Sequence, residues 1–366
     1  MKKAMNVGIV GLGDISGIYL QNIVERYHQL KVVAVCDILY ERALAVKEKY
    51  GIPAAYQNVE DLVNDSAVEI VLNLTRPVDH FNVTMAALHA GKHVYTEKPL
   101  GVSFEEGKQM VAAAEAKGLY LGVSPDTFLG AGLQTCRSAI DAGLIGQPIG
   151  ANARMINRGH ESWHSNPDYY YQHGGGPLLD MGPYYITALV SLFGEVEKVS
   201  GFAKKTFQTR TITSQPRAGQ TIQVDVPTWI SANLQFKNGA TAQLFTTFDV
   251  VYHQEATLEL YGSETTIIAP NPDFFDGPVQ IYDKEKEAYV QLDMPFDFDG
   301  NARGLGLADM AQAIMEGRPN RASAAQGLHV LEIMDKISES AKLEKTLAVE
   351  TSYERPAPMP KKGEIK

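Results

Sequence analysis

The stretch Val7-Gly8-Ile9-Val10-Gly11-Leu12-Gly13-Asp14-Ile15-Ser16 decides the fold of this chain. The run Val7–Val10 predicts a short buried strand, and a Gly-x-Gly turn leads from it into a helical segment. A dinucleotide-binding turn has this order, because Gly11 permits the sharp turn and Gly13 lets the backbone approach a pyrophosphate at the helix N-terminus. Ser16 occupies the third small position, so the contact of helix with strand must accommodate a hydroxyl.

The residues after this turn continue the same pattern. Short apolar runs alternate with helical stretches over about the first 120 residues, which is typical of βαβ units around a parallel sheet. The predicted elements are strands at Val7–Val10, Lys31–Cys36, Ile70–Leu74, His93–Thr96 and Tyr120–Val123, and helices at Tyr40–Tyr50 and Val83–Ala90. A further helix begins at a capping box formed by Ser103 and Glu106 and ends at Gly118.

The second part of the chain has a different character. Its longer strands, predicted at Trp229–Phe236, Ala240–Phe248 and Thr257–Tyr261, mix polar with apolar residues. This mixture favours a largely antiparallel sheet with one face exposed or covered by a partner. Two helices, Leu305–Glu316 and Ser323–Ala341, are expected before a tail rich in proline and lysine.

Composition limits the function classes. The chain has 366 residues, 45% of them hydrophobic, and a net charge of −10, which argues against nucleic acid or an anionic membrane as a partner. Its two cysteines, Cys36 and Cys136, have no metal or redox spacing and fit a reducing cytosol. Gly11 and Asp14 interrupt the N-terminal apolar run, so we expect neither a signal peptide nor a membrane span. A cytoplasmic protein is predicted.

Asp37, at the end of the second predicted strand, bears on the choice of cofactor. A carboxylate there can accept hydrogen bonds from both ribose hydroxyls of an adenosine and repels a 2′-phosphate, which favours NAD and makes NADP less favourable. The residue after it is Ile38 rather than an arginine. Arg42 lies within reach of the same pocket and would partly accommodate a phosphate. The alternative is an ordinary acidic cap.

Glu97-Lys98-Pro99 closes the segment Gly91–Thr96, which predicts a short strand. The ends of strands beside a dinucleotide site are where an open α/β sheet places its chemistry. Lys98 is therefore a candidate for more than a surface charge.

The motifs together resemble the glucose–fructose oxidoreductase / inositol dehydrogenase / MocA (Gfo/Idh/MocA) family. The resemblance extends over essentially the whole chain, through Gly317-Arg318-Pro319, and rests on Gly11–Ser16, Asp37, Asn73-Leu74-Thr75, His80, Gly91-Lys92-His93-Val94, Glu97-Lys98-Pro99 and the run from Gly174 to Gly182. It implies an α/β N-terminal Rossmann domain (1–124), an α+β C-terminal domain built on an open-faced, mostly antiparallel sheet (125–350) and a C-terminal tail (351–366). It also implies NAD(P)-dependent redox chemistry on a sugar, cyclitol or related polyol, and a homodimer or homotetramer formed through the open sheets.

The resemblance implies roles for individual residues. The cofactor-binding set is Gly11, Gly13, Asp14, Ile15, Asp37, Arg42, Asn73, Thr75, Arg76, His80, Glu97 and Lys98, and the catalytic set is Lys98, Asp180 and Tyr184. Two positions depart from the family pattern. Arg76 stands where a small residue or proline is usual, and Tyr184 stands where many members carry the histidine of an Asp-x-x-x-His motif.

Oxidation of a secondary alcohol removes a hydride from carbon and a proton from the hydroxyl, ideally with a positioned base. Asp180 and Tyr184 are four residues apart, so on a helix they share one face. Lysine and tyrosine both have ordinary pKa values near 10, and either needs a lowered pKa to act as a base near neutral pH. Tyr184 is thus a candidate proton carrier beside Lys98; the alternative is that it only packs beside Tyr185.

The segment before the glycine run is a candidate for substrate binding, because aromatic faces and hydrogen-bonding groups suit the two sides of a sugar ring. Its candidates, in addition to Lys98, Asp180 and Tyr184, are Arg158, His160, Trp163 and Tyr171. A solvated loop whose aromatic residues pack on the sheet is the alternative. His160, His164 and His173 lack the compact spacing and the carboxylate or cysteine partners of a zinc site, so no metal is predicted.

We expect an NAD-dependent dehydrogenase. Two alternatives stay open: an NAD-dependent glycoside hydrolase that works through transient oxidation, and a non-catalytic sensor of NAD and sugar. The sensor is disfavoured because Lys98 is retained.

Overall fold

The computed structural model of the protein describes residues 4–364. The chain divides into two compact units. Unit 1 comprises the chain up to Asp126 together with Asn301–Leu331, and unit 2 comprises Thr127–Gly300 together with the chain from Glu332 onward. The predicted boundaries treated 125–350 as one continuous domain and did not anticipate that Asn301–Leu331 groups with the N-terminal residues.

The helices and strands are numbered in chain order. The strands are β1 (Met5–Val10), β2 (Leu30–Cys36), β3 (Ala54–Tyr56), β4 (Ile70–Asn73), β5 (His93–Thr96), β6 (Leu121–Val123), β7 (Pro148–Ile156), β8 (Val196–Lys204), β9 (Thr209–Thr211), β10 (Thr221–Gln223), β11 (Trp229–Phe236), β12 (Thr241–Thr247), β13 (Leu258–Gly262), β14 (Thr266–Ala269), β15 (Gln280–Asp283), β16 (Ala288–Gln291) and β17 (Leu347–Ala348). The helices are α1 (Ser16–Glu25), α2 (Tyr40–Tyr50), α3 (Val59–Asn64), α4 (His80–His89), α5 (Phe104–Ala116), α6 (Ala131–Asp141), α7 (Pro177–Phe193), α8 (Leu305–Glu316) and α9 (Ala324–Leu343).

Unit 1 is built on six strands in the order β3-β2-β1-β4-β5-β6, and every neighbouring pair is parallel. All four residues of β4 are buried, which is the pattern of a parallel sheet with both faces covered. This is the strand order of the doubly wound dinucleotide-binding fold, whose ligands bind outside the carboxyl ends of the strands where the order reverses. The predicted Rossmann fold of the N-terminal region is confirmed.

The elements predicted in this region are present, with strand ends displaced by one or two residues. Helix α2 has the predicted bounds, whereas α4 begins at His80 rather than Val83 because a 3₁₀ turn at Pro77–Asp79 leads directly into it. The short strand β3 was not predicted, since its three residues are only half-buried and carry no apolar alternation.

The capping box of α5 is confirmed. The hydroxyl of Ser103 accepts the backbone N–H of Glu106 at 3.3 Å. In return, the Glu106 carboxylate accepts the N–H of Val102 at 2.9 Å, one residue before the expected partner. Gly118 follows the helix with φ of 63°, a left-handed conformation that glycine adopts without steric cost.

Buried polar contacts explain why Asn301–Leu331 belongs to unit 1. The carboxylate of Asp126, which is 1% exposed, accepts the N–H groups of Gly304 and Gly306 at 2.9 Å each, at the start of α8. The Asn22 side chain donates to the carbonyls of Asn301 at 2.9 Å and Arg303 at 2.8 Å. These bonds satisfy the backbone groups of the returning segment.

Asp126 gives a prediction on stability. Burial raises the pKa of its carboxyl from the ordinary value to about 6. The pKa of Asp126 is higher in the folded chain than in the unfolded chain, so the protonated carboxyl stabilises the fold. This contribution to the free energy of unfolding is fully present below about pH 4. It is lost as the pH rises through 6, at a cost of about 3 kcal/mol. We expect Asp126→Asn, whose amide oxygen still accepts both N–H groups, to gain stability relative to wild type between pH 5 and pH 8. Urea unfolding at both pH values measures this; a stability difference independent of pH contradicts it.

Unit 2 is built on nine strands in the order β16-β15-β14-β13-β7-β12-β11-β8-β17. Only the pair β7–β12 is parallel among the pairs in this sheet, so the predicted mostly antiparallel sheet is confirmed. Burial alternates along β11, where Ile230, Ala232 and Leu234 are buried and the residues between them are exposed. Helix α7 packs against β7, β11 and β12, so one face of the sheet forms the core of the unit.

The remaining predicted elements of the second part are present. Strand β11 and helix α8 have the predicted bounds, and the ends of β12, β13 and α9 differ by one or two residues. The expected tail packs on unit 2: the N–H of Tyr353 donates to Glu195 at 2.8 Å, and the N–H of Met359 donates to Gln134 at 2.8 Å. Within residues 4–364, no helix is both long enough and apolar enough to cross a membrane.

Candidate active site

The turn after β1 has the geometry that a dinucleotide phosphate needs. Gly11 has φ of +92°, and a Cβ there would lie 2.8 Å from the carbonyl of Leu74 at the end of β4, so only glycine fits. At Gly13, by contrast, no atom of residues 4–364 other than those of Gly13 and its two chain neighbours lies within 4 Å of the position of a Cβ. The Ser16 hydroxyl donates to the carbonyl of Gly13 at 2.7 Å, which explains how this position accommodates a polar group. A ligand can therefore approach the backbone at Gly13, where α1 begins.

Asp37 lies beside this turn, directly after β2. One carboxylate oxygen accepts the N–H of Leu12 at 2.8 Å, and the other accepts the N–H of Leu39 at 2.8 Å. A carboxylate has about four acceptor positions, so each oxygen retains capacity for a ribose hydroxyl. Asp37 is 8% exposed, whereas Arg42 is exposed on the first turn of α2. Asp37 thus holds the turn after β1 and the start of the next loop, α2 itself has no side-chain cap hydrogen bond, and the predicted ribose contact stays available.

Asn73 organises the loop after β4. It is fully buried, and its amide oxygen accepts both the N–H (3.2 Å) and the hydroxyl (2.6 Å) of Thr75. Its amide nitrogen donates to the carbonyl of His80 at 3.1 Å and to Thr84 at 3.2 Å. Asn73 therefore holds the loop after β4 in place, while Thr75 is the half-exposed residue of that loop and is the one placed to contact a cofactor.

His80 joins this loop to the end of β5. Its Nδ1 lies 2.7 Å from the carbonyl oxygen of Pro99 and its Nε2 lies 3.0 Å from that of Thr75. Burial lowers the pKa of His80 from its ordinary value, although both carbonyls act in the opposite direction. With no exposed surface, His80 frames the loop. Arg76, whose side chain is 72% exposed, pairs with Asp79 at 3.2 Å on the surface.

Glu97 fixes the backbone from which Lys98 projects. Its carboxylate accepts the hydroxyl of Tyr19 at 2.6 Å and the N–H of Lys98 at 2.9 Å. The Tyr19 hydroxyl also lies 2.9 Å from that of Ser124, after β6. Burial, and next the charge of Glu97, raise the pKa of Tyr19 well above its ordinary value, so it stays a donor. Lys98 itself is half-buried. Glu97 thus acts as a support, and Lys98 is the residue with access to a ligand.

In unit 2, Asp180 and Tyr184 lie one turn apart near the start of α7. The glycine run turns the chain into this helix, with φ of 85° at Gly174 and 89° at Gly176, and Pro177 occupies the first turn. Asp180 lies in the first turn, where a carboxylate is stabilised by the helix dipole. Tyr184 is 7% exposed. The predicted helical spacing of this pair is confirmed.

The loop after β7 brings His160 to Asp180. The Nε2 of His160 lies 3.4 Å from the Oδ2 of Asp180, and their side chains are 8% and 14% exposed. The His160 ring stacks on Tyr170 at 3.7 Å between ring centroids and meets the edge of Phe248 at 4.7 Å. Trp163, 5.2 Å away, is 63% exposed.

Two other predicted substrate contacts have different surroundings. Tyr171 is fully buried, and its hydroxyl donates to Glu161, so its position does not support contact with a substrate. Arg158 is exposed, and its carbonyl accepts from the Arg210 side chain. Arg210 also pairs with Glu161 at 2.6 Å and with Asp249 at 2.8 Å. This ion-pair network was not predicted, because its members lie far apart in sequence on short elements without periodic patterning.

The described residues contain no cluster of side chains suited to bind a metal ion. Between residues 4 and 364, no group of three or more His, Cys, Asp or Glu side chains is arranged to hold a metal ion.

Comparison with known proteins gives the family. Residues 5–124 match the model of an oxidoreductase family with an NAD-binding Rossmann fold, and residues 133–268 match the GFO/IDH/MocA C-terminal domain. The chain belongs to the Gfo/Idh/MocA oxidoreductase family. Both domain matches occur in the expected order and together extend over well over half of the chain, so the predicted family and NAD as its cofactor are confirmed.

Individual members are similar over part of their length. Inositol 2-dehydrogenase of Salmonella typhimurium is 33% identical over 170 residues, which are 46% of this chain and 51% of that protein. Trans-1,2-dihydrobenzene-1,2-diol dehydrogenase of Macaca fascicularis is 32% identical over 207 residues, which are 55% of this chain and 60% of that protein. The chain thus matches only about half to three-fifths of these curated relatives.

A solved structure shares the fold of this chain. The crystal structure of an NAD binding oxidoreductase from Klebsiella pneumoniae superposes with a TM-score of 0.83 and 21% identity, covering 95% of this chain and 100% of that one. The likeness therefore includes the unit 2 sheet.

Proposed function

We propose that the protein is an NAD-dependent oxidoreductase that acts on a CH–OH group of a sugar, cyclitol or related polyol. The observation that carries this proposal is Lys98, held at the carboxyl end of β5 by the Glu97–Tyr19 hydrogen bond. Gly13 and Asp37 fit the phosphates and the ribose of the cofactor, because no Cβ obstructs the first and acceptor capacity remains on the second. NAD supplies the hydride acceptor when bound.

Within this proposal, the chain's own residues handle the proton. The substrate hydroxyl loses its proton to Lys98 or Tyr184 while the C–H bond gives up a hydride, so that alcohol becomes carbonyl. Asp180 orients the hydroxyl by accepting or sharing a hydrogen bond. Trp163, with 63% of its surface exposed, offers a face for the apolar side of the ring.

A panel of aldoses, inositols and glycosides, assayed with NAD and purified protein, tests the proposal. Net formation of NADH with a free sugar or cyclitol supports it. Release of an aglycone without net NADH instead identifies the NAD-dependent glycoside hydrolase, and tight binding of NAD with neither reaction identifies the sensor.

The preference of the enzyme for NAD gives a second prediction. A 2′-phosphate beside Asp37 would place two anionic groups together, so NADH should bind more tightly than NADPH by ~1–3 kcal/mol. Titration of protein fluorescence with each reduced cofactor measures the two dissociation constants. Asp37→Asn keeps an acceptor for the N–H of Leu12 and should reduce the difference between the dissociation constants of NADH and NADPH. Equal dissociation constants in the wild type, or tighter NADPH, would contradict the prediction; exposed Arg42 is the residue that could produce that result.

We further propose a homodimer or homotetramer formed through the open face of the unit 2 sheet. Phe245, Ser231 and Phe202 form one row across β12, β11 and β8, and Phe202 is 75% exposed. Trp229 meets Phe245 at 4.7 Å in the adjacent row. An exposed aromatic residue beside two half-buried ones on the open face of a sheet suits a symmetric partner.

Light scattering tests the assembly. At micromolar concentration the mass should be a multiple of the 40.1 kDa chain, and Phe202→Glu should shift it toward one chain. A monodisperse monomer of the wild type contradicts the prediction. We also propose a cytoplasmic location, because the two buried cysteines carry free thiols, which suits a reducing compartment.

A further inference from the structure

Asp180 has a partner that its own helix does not provide. Position 184, one turn further along α7, holds a tyrosine, so no imidazole of that helix faces the carboxylate at the i+4 position. The imidazole of His160 reaches it instead, from the loop after β7, with Nε2 3.4 Å from Oδ2. Carboxylate–imidazole pairs of this kind fix the tautomer and the ring orientation of the histidine and the orientation of the carboxylate.

The His160 ring is held in place by its neighbours. Tyr170 stacks on one face with an interplanar angle of 12°, and Phe248 meets the ring nearly edge-on at 77°. His160 as a whole is 6% exposed. A ring packed in this way cannot rotate freely about its χ2 torsion, so its Nε2 stays directed at the carboxylate.

The backbone of His160 is also anchored. Its N–H donates to the Tyr171 hydroxyl at 3.3 Å, and that hydroxyl donates to Glu161. The Glu161 carboxylate accepts from Arg210 at 2.7 Å, and Arg210 in turn donates to Asp249 at 2.8 Å. Buried ion pairs contribute little net stability, but they can specify one local conformation, and here they surround the loop that carries His160.

We propose that His160 is a positioning residue for Asp180, resting on the function proposed above. Its Nε2 lies against Oδ2 and sets the rotamer of the carboxylate that orients the substrate hydroxyl. His160 therefore acts through Asp180 rather than on the substrate itself. The imidazole comes from the loop after β7, far from α7 in sequence.

Two variants separate the hydrogen bond from the packing. His160→Phe keeps an aromatic ring on Tyr170 but has no hydrogen-bond donor. We expect kcat to fall about 10–100-fold, which is no more than the smallest usual contribution of a group that transfers the proton itself. His160→Gln carries an amide N–H toward Asp180 and should recover most of that loss. His173→Gln, at an exposed position of the same segment, is the control and should match wild type.

The outcomes are decisive in both directions. A His160→Phe enzyme with wild-type kcat overturns the proposal, as do equal losses of kcat in His160→Phe and His160→Gln, which would indicate packing alone. Titration of each variant with NADH shows whether unit 1, which carries the predicted cofactor-binding residues, is still folded.

A readout without turnover keeps this inference separate from the proposed function. In protein labelled with ¹⁵N-histidine, the ring resonances of His160 are assigned by their loss in His160→Gln. Asp180→Asn should shift the Nε2 resonance of His160 more than that of His173. If no polyol is oxidised by the wild type, the proposed function fails while this shift still supports the pairing; absence of the shift overturns the pairing even in an active enzyme.

Discussion

Turnover is expected to fall by ~10³-fold or more in Lys98→Met, with NADH binding retained, because the amino group that accepts the substrate proton is lost while the unbranched chain stays. The hydrogen bond from the backbone N–H of residue 98 to Glu97 does not depend on the side chain, so the loop after β5 should keep its conformation. Steady-state kcat with the best substrate of the panel gives the first quantity. Fluorescence titration with NADH gives the second.

The matched control is Lys108→Met on α5. Lys108 is 49% exposed at its side chain and pairs with Glu105 at 2.6 Å on the surface, an interaction that contributes little to stability. Its kcat and NADH affinity should equal those of wild type. A Lys98→Met enzyme that retains more than about a tenth of wild-type kcat would remove Lys98 from proton transfer, given the usual 10²–10⁴-fold contribution of such a group.

The part of the fold that could be predicted from sequence is the part with local signals. Gly11, Asp37 and the apolar runs of β1, β2 and β4 follow one another within short segments, and each strand is buried on both faces. Their parallel order then follows from the alternation with helices. The end of β5 was predicted for the same reason, since Thr96 is buried and Glu97 follows it directly.

Long-range polar contacts could not be predicted in this way. Asp126 binds Gly304 and Gly306, and nothing near Asp126 in sequence indicates that α8 returns to unit 1. The pairing of His160 with Asp180 depends likewise on where the loop after β7 folds back. His160, Asp180 and Tyr171 were candidates from the sequence, but only the structure gives the partner of His160 and shows that Tyr171 lies in the core.

Helix α7 shows how a local pattern and a tertiary environment combine. The spacing of Asp180 and Tyr184 was sufficient to predict that they share a helix face. The burial of these two side chains could not be predicted from the spacing, because it depends on the packing of α7 against β7, β11 and β12. Pro183, inside the helix, has no N–H to donate to the carbonyl of Leu179, so one backbone hydrogen bond is missing between the two candidate residues.

Tyr184→Phe is expected to lower turnover by ~10²–10⁴-fold if the phenol carries the proton, since the substitution removes one oxygen and keeps the ring. Tyr184 is 7% exposed, so the retained ring should preserve the packing of α7. In alcohol oxidation the rate rises with pH as the base loses its proton. The variant should therefore also lose this rise of the rate with pH, which a packing defect would leave in place.

Tyr185→Phe is the matched control, because the two tyrosines are adjacent on α7 and both are buried. The Tyr185 hydroxyl donates to Asn271 at 3.3 Å, and burial raises the pKa of that hydroxyl above its ordinary value. Its removal should cost about 1 kcal/mol of stability, the usual net value of one hydrogen bond, and leave kcat unchanged. If Tyr184→Phe behaves like Tyr185→Phe in both kcat and pH profile, the phenol is not the proton carrier. Lys98 is then the remaining candidate for the group that takes the proton from the substrate hydroxyl.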